Sequence, residues 1–311
     1  MTIDFLTGAP VTGSLDVAWI HGSPRGQPNT DPPIQVHAYD PHTMILRQSR
    51  AVSPEAPFLY LLFGNDRAVL LDTGATADAA RFPLRETVDG LVDAWLAAHP
   101  REGYELIAAH THSHGDHIAG DGQFADRPNT TIVGTDVDDV RSFFGFARWP
   151  EGLVDLDLGG RVSEVVGTPG HHETAIALYD RWTGFLLSGD TVYPGRLYAR
   201  DMPAYVASLE RLVEFAASRT ISHVMGCHIE MTRTPNRDYP LGSAFQSDEP
   251  PLEMSLDRLI AIRDAARSVA DRPGVHPFGD FILYVGSARW GVIKLIARSL
   301  ASKLLGRSGS K

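Results

Sequence analysis

A single cysteine, Cys227, among 311 residues excludes an intrachain disulfide framework and a cysteine-built zinc knuckle. No uncharged apolar run approaches the ~20 residues of a membrane span, and no basic segment leads into an apolar core at the opening MTIDFLTGAPVTG. Positive charge is also in short supply. Lys and Arg number 28 against 38 Asp and Glu, and the formal net charge of −10 argues against general nucleic-acid binding. Short-period repeats and low-complexity segments are missing too. At 43% hydrophobic and 21% charged, the composition is that of a folded protein, neither disordered nor fibrous. These exclusions leave a cytoplasmic protein with no nucleic-acid or membrane partner as the expectation.

The chain opens with short extended pieces around the Gly- and Pro-rich loop 21–33. FLYLLFG and RAVLLDTG then form two apolar runs joined at Gly64-Asn65-Asp66, a hairpin signature. Leu84, Val88, Leu91, Val92, Trp95 and Leu96 repeat at helical spacing. Further strands are expected at 104–109, 131–134, near 153–166 and across 173–190. Helices are expected at about 137–144 and 203–217, with a strand at 221–226. A polar loop runs to Pro251, and helices at about 252–270 and 290–305 flank a strand at 280–285. Strands first, then strands alternating with helices, predict a layered α/β protein. No linker divides the chain, so it reads as one domain, 1–311, with a C-terminal helical extension over about 252–305. In that extension Trp290, Ile293, Ile296, Leu300 and Leu304 give Arg289–Leu305 one apolar face. Burial in the protein or against a second copy, a homodimer, is favoured there over a membrane surface.

Histidine is abundant: there are 13, and four of them lie within the eight residues from His110 to His117. In Thr111-His112-Ser113-His114-Gly115-Asp116-His117, which follows an apolar strand, residues two apart point the same way. His112 and His114 can therefore grip one cation while Asp116 and His117 turn toward a second position. Imidazole and carboxylate together suit zinc, with iron or manganese at higher coordination number. The same pattern of strand, glycine and ligand recurs at Gly170-His171, Gly189-Asp190 and Gly226-Cys227-His228, and Asp72 ends another strand. His110, His172 and His223 match no ligand position, and Cys227 reads as packing.

The ordered set D-T-G, T-H-x-H-x-D-H, T-P-G-H, S-G-D and G-x-H, spanning 72–228, resembles the metallo-β-lactamase superfamily of hydrolases. The resemblance implies an αββα sandwich, two mixed β-sheets face to face with helices outside. It implies two divalent metal ions, Zn2+ first, with Fe or Mn as alternatives. One would be held by His112, His114 and His171, the other by Asp116, His117 and His228, with Asp190 bridging. Asp72 and Thr111 would orient these ligands. Asp190 stands where the antibiotic-destroying branch usually has cysteine, which places the chain nearer glyoxalase II and the lactonases.

The resemblance implies a metal-bridging hydroxide, oriented by Asp116, that attacks a small ester, thioester or lactone. The rivals are a phosphodiesterase and a mononuclear iron enzyme like the persulfide dioxygenases. Directly after Asp190, Tyr193 is the candidate donor to the oxyanion. Arg196, Tyr198 and, in the loop 229–251, Arg233 are candidate substrate contacts.

Overall fold

A computed structural model describes residues 2–286 of the protein. The segment Arg289–Leu305, expected as an amphipathic helix, lies outside the described residues. Strands β1 (Ile34–Asp40), β2 (Thr43–Gln48), β3 (Phe58–Phe63), β4 (Arg67–Leu71), β5 (Glu105–Ala109) and β6 (Thr130–Ile132) form one sheet in sequence order. Its first three pairings are antiparallel and its last two parallel. Helix α1 (Leu84–Ala98) makes the crossover between β4 and β5, and α2 (Gly115–Ile118) and α3 (Val137–Phe144) follow.

The second sheet holds β7 (Val154–Asp157), β8 (Val162–Gly167), β9 (Ile176–Asp180) and β10 (Phe185–Gly189). After β11 (Arg196–Ala199) and α4 (Met202–Ala216), β12 (His223–Gly226) joins β10 in parallel, and β13 (Glu253–Met254) pairs with β12. Helix α5 (Leu256–Val269) is followed by β14 (Gly274–Pro277) and β15 (Ile282–Val285). A third, small sheet has the order β11-β15-β14. Neither it nor β14 was expected, and α5 begins later than its sequence pattern suggests because Glu253 and Met254 are taken up as an edge strand.

The layers follow from period-two alternation on strands buried on both faces. On β3, Phe58, Tyr60 and Leu62 join Leu178, Phe185, Leu187 and Met225 in the core between the two large sheets. The alternate residues, Leu59, Leu61 and Phe63, pack outward against Leu84, Val88, Val92 and Trp95 of α1. Likewise Tyr179, Leu186 and Val224 face Tyr205, Leu209 and Leu212 of α4 and Leu259 and Ile262 of α5. The result is helix, sheet, sheet, helix.

Strands β4 and β5 run parallel in one sheet, and β8, β10 and β12 share a direction in the other. Their C-terminal ends gather at one edge of the sandwich. The opposite edge is closed by a fully buried arginine, Arg161. Its Nε and NH2 donate to the two Asp180 oxygens at 2.9 and 2.6 Å, and NH1 reaches the Phe63 carbonyl at 3.1 Å, joining β9 to β3. Asp180→Ala would leave this buried cation without its counter-charge and should cost about 3–5 kcal/mol. Urea denaturation measures that loss, and adding Arg161→Met should recover most of it, since the pair is then removed together.

Candidate metal centre

Five strand ends deliver the site. Asp72 follows β4, the His110–His117 run follows β5, and His171, Asp190 and His228 follow β8, β10 and β12. The chain must turn sharply at each. Gly189 does so at φ +53°, where an added Cβ would stand 2.6 Å from Thr111 Cβ, so the turn into Asp190 and the histidine run are packed backbone to side chain. Gly170 has φ +136° against the backbone of Tyr205.

Two groups of donors converge. His112, His114 and His171 each offer one atom, all within 4.8 Å of one another, and Asp116, His117, Asp190 and His228 do the same. In the first group His114 Nδ1 stands 2.8 Å from His112 Nε2 and 3.0 Å from His171 Nε2. In the second, His117 Nε2 and His228 Nε2 are 3.3 Å apart, close to the edge of about 3.3 Å expected for ligands held tetrahedrally at zinc–nitrogen distance.

Asp190 lies between the groups. Its Oδ2 is 4.0 Å from His112 Nε2 and 3.7 Å from both His171 and His117 Nε2, while Oδ1 is 3.5 Å from His228 Nε2. Oδ1 is buried and has no hydrogen-bond partner among the described residues. A buried carboxylate oxygen in that condition is costly unless a cation meets it. The donor set and the orphaned oxygen together fit divalent cations.

On three of the rings the outward nitrogen is held, which turns the other ring nitrogen into the site. His117 Nδ1 donates to Asp72 Oδ2 at 2.9 Å, His171 Nδ1 to the Tyr198 carbonyl at 3.1 Å, and His228 Nδ1 to the Glu55 carbonyl at 3.1 Å. Asp72 is fully buried and also accepts from the Thr111 amide (2.7 Å), the Thr111 hydroxyl (2.9 Å) and Cys227 Sγ (3.2 Å). Cys227 thus packs beneath the site and holds Asp72.

The two groups differ electrically in the cation-free protein. Burial pushes His112 well below its ordinary range, and burial with His171 beside it brings His114 down to about 3. Burial also disfavours charge on His228, but Asp190 and Asp116 overcome it and raise the ring to about 9. The same contest, won by Asp72 and Asp190, holds His117 well above its usual value. Asp190 is depressed to about 2: burial opposes this, and the His228 and His117 rings prevail. The first group therefore presents free lone pairs, whereas a cation entering the second displaces protons.

The three histidines read as outside the ligand set offer no atom to either donor group, although the His172 ring stands edge-on to His114 with centroids 4.6 Å apart. His110 bonds Asp121 at 2.8 Å, His172 bonds Thr174 at 2.9 Å, and His223 lies along β12 with its ring beside Phe185.

The expected substrate contacts divide. Tyr198 lines a cavity of about 480 Å³ over the site, together with His114, His171 and His228. The Tyr193 ring borders the same cavity, but its hydroxyl is fully buried, donates to the Arg196 carbonyl and stands 3.1 Å from Glu230 Oε2. This corrects its expected oxyanion role, because the hydroxyl is already committed. Arg196 is corrected as well. It is buried, pairs with Glu230 and with Asp238 at 3.0 Å, and bonds the Tyr239 carbonyl at 2.7 Å, so it holds the loop 229–251. Arg233 is exposed, lies 4.0 Å from Asp248 and borders a different groove with Trp19 and Glu253. The polar ends of Tyr193 and Arg196 are thus turned away from the cavity, while Tyr198, on the same strand β11 as Arg196, faces it; the partner of β11, β15, is far along the chain.

Three cavity residues carried no sequence signal: Glu55, Glu230 and Arg200. Glu55 reaches the site through its carbonyl because Ala56 adopts φ +44°.

The chain belongs to the metallo-beta-lactamase superfamily, whose model matches residues 53–269. Membership implies divalent-metal binding. A hydroxyacylglutathione hydrolase from a Synechococcus strain is 29% identical over 218 residues, covering 66% of this chain and 75% of the relative. The human acyl-coenzyme A thioesterase MBLAC2 is 28% identical over 203 residues, covering 55% and 72%. Among solved structures, DIM-1 metallo-beta-lactamase aligns with a TM-score of 0.50 at 12% identity, covering 76% of this chain and 99% of that one, a likeness of fold. No described helix is long and apolar enough to cross a membrane.

Proposed function

We propose that the protein is a dinuclear metal-dependent hydrolase acting on a small thioester, with esters and lactones of similar size as neighbouring substrates. The observation that carries this reading is the Asp190 carboxylate, set within 4.0 Å of ring nitrogens from both donor groups beneath an open cavity. The names of the two relatives, both describing hydrolysis of thioesters, support the choice of bond.

His112, His114 and His171 would hold one cation; Asp116, His117 and His228 the other, with Asp190 shared between them. Such a pair, when bound, supplies Lewis acidity toward a carbonyl oxygen and a nucleophile from water near neutral pH. The protein's own groups do the rest. Asp190 balances charge on both sides at once. Asp116, with its side chain 26% exposed, faces the cavity and can accept a hydrogen bond from the attacking water at Oδ2. Asp72, through His117 Nδ1, and the Tyr198 carbonyl, through His171 Nδ1, fix the rings that aim the site.

The test is metal analysis of the purified protein, then turnover of a panel of thioesters, lactones and phosphodiesters before and after chelation. Two divalent ions per chain and thioester hydrolysis lost on chelation are expected. One ion per chain, or a preference for phosphodiesters, would sink the reading.

A further inference from the structure

Among the described residues, the cavity wall beside His114 and His171 carries one guanidinium, that of Arg200. It is exposed, and no carboxylate pairs with it among the described residues, whereas Arg47, Arg50, Arg161 and Arg196 are all paired. Its place is fixed from both sides. Two residues before it, the Tyr198 carbonyl accepts from His171 Nδ1 at 3.1 Å. One residue after it, the Asp201 amide donates to the Gly170 carbonyl at 3.0 Å, and the Asp201 side chain caps α4. Arg200 is therefore stapled to the loop that bears His171.

A guanidinium lining the cavity beside a centre that gathers cations adds repulsion unless an anion joins it. The carboxylates of the cavity do not serve: Glu230 is engaged by Arg196, Asp116 and Asp190 face the histidines, and Glu55 lies on the His228 side. In the same cavity Tyr198, its ring 4.9 Å from that of Tyr284, and Leu241 offer an apolar wall.

We propose that Arg200 binds a carboxylate or phosphate on the substrate, so that the protein selects anionic thioesters whose charged group lies on the His171 side of the cavity. The proposal rests on the hydrolytic reading above and names its substrate class. The planar fork of the guanidinium suits either oxyanion, and Tyr198 and Leu241 would flank the chain joining that group to the reacting carbonyl.

The experiment uses acetyl thioesters of one short thiol skeleton that ends in a hydroxyl, a carboxylate, a phosphate or a trimethylammonium group. In Arg200→Ala, KM for the carboxylate and phosphate members should rise about tenfold, the loss of one charge-assisted contact, with kcat nearly unchanged. KM for the hydroxyl member should stay within about twofold of wild type. Arg200→Glu should deepen the loss for the anions and improve the trimethylammonium member. A loss confined to the carboxylate or to the phosphate member supports the proposal and identifies the group. Equal change across all four members, or none, overturns it. The matching non-hydrolysable thioethers, titrated by ligand-observed NMR, read the same contact without turnover. Weaker binding of the anionic thioethers to Arg200→Ala supports the proposal, and equal binding overturns it, even if no member is hydrolysed and the hydrolytic reading fails.

Discussion

Asp190→Ala should lower bound metal from both donor groups at once and nearly abolish hydrolysis, with circular dichroism unchanged. The carboxylate stands within 4.0 Å of four ring nitrogens, two from each group, and its Oδ1 has no hydrogen bond to lose among the described residues. Removing it leaves two cations facing each other with one fewer anionic ligand, while the core between the sheets lies away from these loops. Asp190→Asn keeps the size without the charge and should fail similarly. His112→Ala should weaken mainly the first cation and His228→Ala mainly the second. His172→Ala and His223→Ala should keep near-normal metal, since those side chains belong to neither group. Metal stoichiometry on each variant decides the matter, and two ions per chain with normal turnover in Asp190→Ala would refute the shared carboxylate.

The second large effect belongs to Asp72, which never faces the cavity. It accepts from the Thr111 amide and hydroxyl, His117 Nδ1 and Cys227 Sγ inside a fully buried pocket. Asp72→Ala strands those donors without water to replace the carboxylate, for a stability loss of roughly 3 kcal/mol or more. It also frees the His117 ring, which should weaken metal binding about 10- to 100-fold. Asp72→Asn keeps one acceptor oxygen and tolerates the left-handed backbone at φ +72°, so it should fold better than the alanine variant. Thermal melts in excess chelator and in excess zinc separate the two effects. Equal melting of Asp72→Ala and wild type in chelator would refute the structural part.

The metal-ligand candidates were legible because each ends an apolar strand with a glycine or a short turn, a pattern that survives in one dimension. The two large sheets were legible for the same reason: their central strands, such as β3, β9 and β10, are apolar on both faces and bounded by turn residues. The small sheet was not. Arg196–Ala199 is four residues long, and its partner, Ile282–Val285, is reached only after two helices. Proximity in sequence misled for Tyr193 and Arg196, whose polar ends turn toward Glu230 and the loop after His228. Glu55 and Arg200 sit in no motif, and only the folding of distant segments brings them to the cavity.

Each donor group takes ligands from both sheets: His112 and His114 meet His171, and Asp116 and His117 meet Asp190 and His228. A complete site therefore exists only when the two halves of the sandwich are docked. Metal affinity then contains the association energy of one sheet for the other, by the same linkage that lets a ligand stabilise the state it binds. A cavity opened at Leu178 or Leu187, in the core between the sheets, would reach the cations by loosening the seam between them. The Arg161–Asp180 pair, at the opposite edge, would do so by leverage.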